Sequence, residues 1–125
     1  MPRVLIADDE DSMRSLVARA IAMDGHETVT AEDGAEALEI LTREDGAIDL
    51  LLTDIQMPVM DGIALALAVA RDFPDLTILL MTGFADQRER ASGLNAIAHD
   101  VITKPFSVAD IRTAVADALA AGKSG

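Results

Sequence analysis

Short, unbroken apolar runs alternate along the chain with longer segments in which apolar residues recur every three or four positions. The runs at residues 4–7, 50–52 and 78–81 are typical of strands that are buried on both faces of a parallel sheet. Residues 27–30 and 100–103 alternate in polarity instead, as edge strands do. The pattern therefore predicts five strands, with three apolar strands between two more polar edges.

The segments that separate these strands have the periodicity of amphipathic helices. Helices are predicted at residues 35–44, 63–72 and 86–94, and the middle one ends before Pro74. A first and a last helix are each defined by one apolar face, made of Met13, Leu16, Val17, Ala20 and Ile21 in the first and Val108, Ile111, Val115 and Leu119 in the last.

Capping residues predict where the first and last helices begin. Asp11 or Ser12 is expected to cap the first helix, because both side chains are common acceptors at helix N-termini. Ser107, followed three residues later by Asp110, resembles a reciprocal capping pattern and is expected to start the last helix.

Strand and helix thus alternate five times, which predicts an α/β fold with right-handed crossovers and helices on both faces of one parallel sheet. With the second strand at an edge, the strand order is 2-1-3-4-5. We expect a single domain over residues 1–121 and a short tail at 122–125, with no second domain attached.

Composition and charge narrow the function. Ten basic residues stand against 22 acidic ones, and the net charge of −12 would repel a phosphate backbone. Direct contact with DNA or RNA is therefore not expected. The lack of cysteine excludes disulfides and thiolate chemistry. No signal peptide or membrane span is recognisable, so the chain is expected to be cytoplasmic and not inserted in a membrane.

Five polar side chains follow or end the predicted strands. Asp8 and Asp9 follow the first strand, Asp54 the third, Thr82 the fourth and Lys104 the fifth. They should converge, because the carboxyl ends of parallel strands share one edge of the sheet, where such folds bind ligands. Crowded carboxylates are expected to have raised pKa values and to require a cation. Oxygen ligands favour Mg²⁺, with Mn²⁺ as an alternative.

The ordered set of motifs resembles the receiver domain of two-component response regulators, of the stand-alone type found in chemotaxis and cell-cycle control. The resemblance covers essentially the whole chain and implies a flavodoxin-like fold. The motifs that carry it are Asp8-Asp9, the segment from Asp54 through Met57-Pro58 to Asp61-Gly62, Thr82-Gly83 and Lys104-Pro105-Phe106.

The resemblance implies a role for each site residue. Asp54 would accept a phosphoryl group from a phosphohistidine on a sensor histidine kinase or a histidine phosphotransfer protein. Asp8, Asp9 and Asp54, with the main-chain carbonyl of Gln56, would hold Mg²⁺, and Asp8 would act mainly through a coordinated water.

The same resemblance gives Thr82 and Lys104 the task of stabilising the transferred phosphoryl group, by a hydroxyl hydrogen bond and a positive charge. It also implies a cis peptide bond between Lys104 and Pro105. Phosphorylation would change the affinity for a downstream protein at the face formed by the fourth helix, the fifth strand and the last helix. The chain would catalyse only its own phosphorylation and dephosphorylation, and would not otherwise be an enzyme.

One position departs from the family pattern and leaves alternatives open. Receiver domains commonly carry Tyr or Phe three residues before the lysine, but Val101 stands there. Phe84 is the nearest aromatic residue and could serve instead, or could simply pack. A phosphate sink or relay intermediate without a switch is therefore an alternative.

Two other classes of protein are less consistent with the sequence. A phosphatase with an aspartyl nucleophile usually places a second acid two residues after it, where this chain has Gln56. A flavin-binding module of the same strand order needs phosphate-binding loops and stacking aromatic residues, and the acids after the first strand would repel a phosphate.

Overall fold

Five parallel strands form one sheet in the order predicted from the sequence. The computed structural model describes residues 2–44, 47–83 and 97–124. Numbered along the chain, the strands lie in the order 2-1-3-4-5, with both of the more polar strands at the edges. The strands are Arg3–Ala7 (β1), Glu27–Ala31 (β2), Leu50–Asp54 (β3), Thr77–Thr82 (β4) and Asp100–Thr103 (β5).

Four helices lie within the described residues, namely Asp11–Ala22 (α1), Gly34–Arg43 (α2), Gly62–Asp72 (α3) and Val108–Ser124 (α4). The second and third predicted helices are confirmed, each with its start shifted by one residue. The fourth predicted helix, at residues 86–94, lies outside the described residues. Within the part of the chain that the structure describes, none of the helices combines the length and the hydrophobicity needed to cross a lipid bilayer.

Both faces of the sheet are covered by a hydrophobic core. Alternate residues of each central strand point to opposite faces. Leu5 and Leu51 pack with residues of α2 and α3 on one face, whereas Ile6 and Leu52 pack with residues of α1 and α4 on the other. All four of these side chains are fully buried. This two-sided burial explains why the central strands are continuous apolar runs.

The sequence predicts the N-terminal cap of α4 correctly and that of α1 wrongly. At α4 the predicted pattern is confirmed, because the Asp110 amide donates to Ser107 Oγ at 3.1 Å and the Ser107 amide donates to Asp110 Oδ2 at 2.9 Å. At α1 the prediction is wrong. Its N-cap is Glu10, which makes no side-chain capping bond. The Glu10 amide donates instead to the Asp8 carboxylate.

The strand register brings the ends of four strands to the same edge of the sheet. Ala7 pairs with Thr53, so Asp8 and Asp54, the residues that follow them, come at the same level of the sheet. Thr82 pairs with Thr103, which directly precedes Lys104. The parallel pairing thus collects the polar residues at the carboxyl edge.

The turn from β3 into α3 requires glycine at position 62. The Gly62 amide donates to the Ile55 carbonyl at 2.7 Å. A Cβ atom at Gly62 would lie 2.0 Å from the Asp54 main-chain oxygen, a contact that no side-chain rotation can relieve. Close approach of these two backbone segments fixes the position of Asp54 relative to α3.

We predict that Gly62→Ala lowers the free energy of unfolding by about 2 kcal/mol or more, because the backbone must shift to remove the clash. Gly83→Ala is the matched control, since among the described residues a Cβ atom there meets nothing closer than Lys104 Cδ at 3.8 Å. Urea denaturation of both variants measures the difference. Equal stability of the two variants would contradict the assignment of Gly62 to a close backbone contact.

Candidate functional site

The carboxylates of Asp8, Asp9 and Asp54 meet at the carboxyl edge of the sheet. One oxygen from each lies within 4.8 Å of the others, so the predicted convergence is confirmed for these three carboxylates. Asp8 is fully buried after β1, where its amide donates to the Ala31 carbonyl at 3.1 Å. Asp54 ends β3 and is only 7% exposed, whereas Asp9 is exposed to solvent.

Lys104 faces the two buried carboxylates. Its Nζ atom donates to Asp54 Oδ1 at 3.1 Å and lies 3.9 Å from Asp8 Oδ2. The Lys104 amide also donates to the Thr82 carbonyl at 2.7 Å, which ties the start of the loop after β5 to the end of β4. The Lys104–Pro105 peptide bond is cis.

The other two predicted site residues lie at the same edge of the sheet. Thr82 is the last residue of β4 and is fully buried. Gln56 lies two residues beyond the end of β3 and is exposed. The roles assigned to these two residues from the sequence stay predictions.

Burial, more than mutual repulsion, perturbs the two inner carboxylates. Loss of solvent raises the pKa of Asp8 to about 6, against a smaller lowering by the Glu10 amide and a further raising by the Asp54 charge. Loss of solvent also raises the pKa of Asp54, although the Lys104 ammonium acts in the opposite direction. The sequence-based explanation by crowding is thus corrected, because crowding is secondary to desolvation.

A buried oxygen of the Asp8 carboxylate indicates that the site is suited to bind a cation. Asp8 Oδ2 is buried and has no hydrogen-bond partner among the described residues. A buried, unpartnered polar atom is costly, and a carboxylate oxygen more so when the group is ionised. Three carboxylates here face a single ammonium group. Oxygen donors with excess negative charge fit a hard divalent cation such as Mg²⁺.

The loop between β3 and α3 contains a residue in an unfavourable conformation. Val59 has a φ angle of 68° and is 85% exposed. The Met60 amide donates to the Pro58 carbonyl at 2.7 Å, so Val59 lies at the centre of a tight three-residue turn. Branching at Cβ makes this conformation strained for valine. Sequence reasoning missed this feature, because valine gives no signal of a positive φ angle.

Sequence reasoning also missed Arg14, a residue of α1 whose guanidinium reaches the site. Arg14 Nη1 donates to the Asp8 main-chain carbonyl at 2.8 Å. Its only signal in the sequence is a basic residue shortly after a run of acids, which is more often a solvated helix position.

Comparisons with known proteins agree with this geometry. The chain belongs to the response regulator receiver domain family, because the family model of that description matches residues 4–116. Curated relatives include the probable transcriptional regulator ycf27 of Guillardia theta, which is 35% identical over 113 residues, or 90% of this chain and 43% of that protein. The transcriptional regulatory protein PrrA of Mycobacterium tuberculosis is 34% identical over 110 residues, or 88% of this chain and 46% of that protein.

Solved structures share the fold over almost the whole chain. A response regulator receiver domain protein from Clostridium thermocellum has a TM-score of 0.90 at 25% identity and matches over 98% of both chains. The response regulator protein TrrA from Thermotoga maritima, in complex with Mg²⁺-BeF, has a TM-score of 0.83 at 31% identity and matches over 94% of this chain and 98% of its own. The curated relatives, in contrast, are about twice as long as this chain.

Of the two residues considered for the aromatic position of the family, the structure describes only Val101. Val101 is half-buried on β5 and packs against the core on the α2 and α3 side of the sheet. Phe84, which could replace an aromatic side chain there, lies outside the described residues.

We predict that Asp8 makes the metal-free protein less stable as pH rises. Its pKa is about 6 when folded and near 3.8 when unfolded, so the folded state binds more protons between these values. Its contribution is therefore most favourable below this window and is lost as pH rises through 6. The full loss is about 3 kcal/mol, from about 1.4 kcal/mol per pKa unit.

Asp8→Asn tests this dependence, because the asparagine oxygen can still accept from the Glu10 amide. Urea denaturation in EDTA should show the variant gaining stability over wild type between about pH 4 and about pH 7. Asp72→Asn, at an exposed ion pair with Arg71, should show no such gain. A pH-independent difference for Asp8→Asn would show that Asp8 is not perturbed.

Proposed function

We propose that this chain is a phosphorylation-activated signalling protein of a two-component system and that Asp54 is its phosphoryl acceptor. The observation that carries the proposal is the buried Asp54 carboxylate held 3.1 Å from the Lys104 ammonium, beside Asp8 and Asp9. A sensor histidine kinase or a histidine phosphotransfer protein would supply the phosphoryl group. Family membership over residues 4–116 supports this choice of donor.

In the proposed reaction an Asp54 oxygen forms a bond to phosphorus while the bond from phosphorus to the donor imidazole nitrogen breaks. The electron pair stays on the imidazole, and the product is an acyl phosphate. Lys104 then shifts from the Asp54 carboxylate towards a phosphoryl oxygen, and the Thr82 hydroxyl donates to another. Both interactions stabilise charge that spreads over the phosphoryl oxygens during transfer.

A divalent cation would be held by the carboxylates of Asp8, Asp9 and Asp54 and by the Gln56 main-chain carbonyl. When bound, it supplies the positive charge that allows an anionic nucleophile to approach an anionic phosphoryl group. We propose Mg²⁺, which usually takes one or two carboxylates and keeps several waters. Nothing in the geometry selects Mn²⁺ over it.

The proposed output is a change of affinity for a protein partner. An added phosphoryl group changes the local charge by about −1.5 to −2, enough to bias a nearby two-state element. With its net charge of −12, the chain itself is proposed to make no direct contact with nucleic acid. The relatives named as transcriptional regulators are about twice as long as this chain.

A phosphate sink or relay intermediate is the second candidate, and Val101 favours it. A half-buried valine in the core cannot swing as an aromatic gate would. In either role the chain would catalyse only its own phosphorylation and dephosphorylation. Action as a phosphatase on other substrates is not proposed, because Gln56 lacks the acid that such chemistry would use.

Incubation with Mg²⁺ and acetyl phosphate is expected to add one phosphoryl group, detected by intact mass spectrometry. Asp54→Ala should abolish labelling because the nucleophile is lost. Lys104→Met should slow it by about 10-fold or more, the effect expected when one stabilising charge is removed. Asp72→Asn, an exposed carboxylate outside the site, is the control and should label as wild type does. Labelling of Asp54→Ala at the wild-type rate would refute the proposed acceptor.

Mg²⁺ is also expected to raise the melting temperature, because it binds the folded protein alone. The stabilisation is about 2.7 kcal/mol at a hundredfold excess over Kd. Asp9→Ala should reduce the effect more than Asp8→Ala, since Asp9 is the proposed direct ligand and Asp8 acts mainly through water. No change in the wild-type melting temperature at millimolar Mg²⁺ would count against the cation site.

A further inference from the structure

Arg14 occupies an unusual place for a helix-surface arginine. Its side chain is only 16% exposed, against 41% for Arg112 and 76% for Arg71, which also form ion pairs. Its Nη2 atom is paired with Asp11 and lies 3.9 Å from Glu32. Its Nη1 atom donates to the Asp8 carbonyl at 2.8 Å.

The bond to the Asp8 carbonyl restrains the residue that follows. That carbonyl belongs to the peptide group between Asp8 and Asp9. The next peptide group, between Asp9 and Glu10, is held through the Glu10 amide, which donates to Asp8 Oδ1 at 3.0 Å. Both peptide groups that flank Asp9 are therefore fixed, one by Arg14 and one by the Asp8 carboxylate. This matters because Asp9 is exposed and packing does not hold its side chain.

The first turn of α1 begins without a side-chain cap. Glu10 is its N-cap and makes no side-chain capping bond. The Arg14 amide donates to the Glu10 carbonyl at 2.9 Å. Arg14 therefore makes two hydrogen bonds to the segment before α1: its amide donates to the Glu10 carbonyl and its guanidinium donates to the Asp8 carbonyl.

We propose that Arg14 is a positioning residue for the cation site, which holds the Asp8–Asp9 backbone so that the two carboxylates bind a divalent cation together. The inference rests on the proposed function, because it assumes that this acidic cluster binds Mg²⁺. Groups that orient metal ligands typically change metal affinity by 10–100-fold when they are removed.

Electrostatics alone predicts the opposite sign. A guanidinium near a cation site repels the cation, so its removal would tighten binding. Asp11 and Glu32 offset that repulsion by pairing with the guanidinium. The main effect of Arg14 on Mg²⁺ affinity is then its hydrogen bond to the Asp8 main-chain carbonyl. The sign of the change in Mg²⁺ affinity therefore separates positioning from simple charge.

Calorimetric titration of the metal-free protein with MgCl₂ tests the proposal. Arg14→Met keeps the length of the side chain but removes its donors, and its Kd should rise about tenfold. Arg14→Lys keeps one possible donor and the charge, and should recover part of the affinity. Arg19→Met removes the same charge from an exposed position of α1 and is the matched control, with a Kd equal to or below the wild-type value.

Amide hydrogen exchange gives a second readout without metal. In Arg14→Met the Glu10 amide should exchange faster, while the Val17 amide further along α1 should keep its wild-type rate. A merely structural role would lower the melting temperature and leave the Kd of the folded protein unchanged.

Two outcomes separate this inference from the function on which it rests. Wild-type protein that binds Mg²⁺ no better than Arg14→Met, or less tightly, overturns the positioning role alone. Wild-type protein that binds no Mg²⁺ overturns both proposals.

Discussion

The structure depends on the burial of two carboxylates, Asp8 and Asp54, opposite the single ammonium group of Lys104. Burial raises both pKa values, and one Asp8 oxygen has no hydrogen-bond partner among the described residues. An apolar core gains nothing from such an arrangement, because buried charge needs compensation beyond what one lysine gives. A bound cation would offset the free-energy cost of burying these carboxylates and would convert a destabilising cluster into a binding site.

The fold produces this cluster through the register of its central strands. Continuous apolar runs are buried on both faces, so strands β1, β3 and β4 lie at the centre of the sheet and their polar ends coincide. The close contact of Gly62 with the Asp54 backbone and the bond from Lys104 to the Thr82 carbonyl hold the neighbouring loops. The acidic site is therefore a consequence of strand pairing, with each loop tied to a strand end.

The strands, their order and the acidic site could be predicted from the sequence. The start of α1, the role of Arg14 and the conformation of Val59 could not, for physical reasons. The apolar runs define the strands and their order, and the acids at the strand ends define the site. The start of α1 was predicted wrongly: its N-cap is Glu10, which makes no side-chain capping bond, and the Glu10 amide donates to the carboxylate of Asp8, two residues earlier. Arg14 and the strained Val59 were missed, because a guanidinium contact and a positive φ angle in valine depend on tertiary geometry that local patterns do not encode.

Direct titration of Asp8 tests the central claim. Carbon-13 NMR of the aspartate carboxyl groups reports the midpoint of each residue with and without Mg²⁺. Without metal, Asp8 should titrate near pH 6. With saturating Mg²⁺ the midpoint should fall by about 1–3 pH units, the effect of an opposite charge close to a carboxylate. A midpoint near 3.8 without metal, or one that Mg²⁺ does not move, would contradict the account.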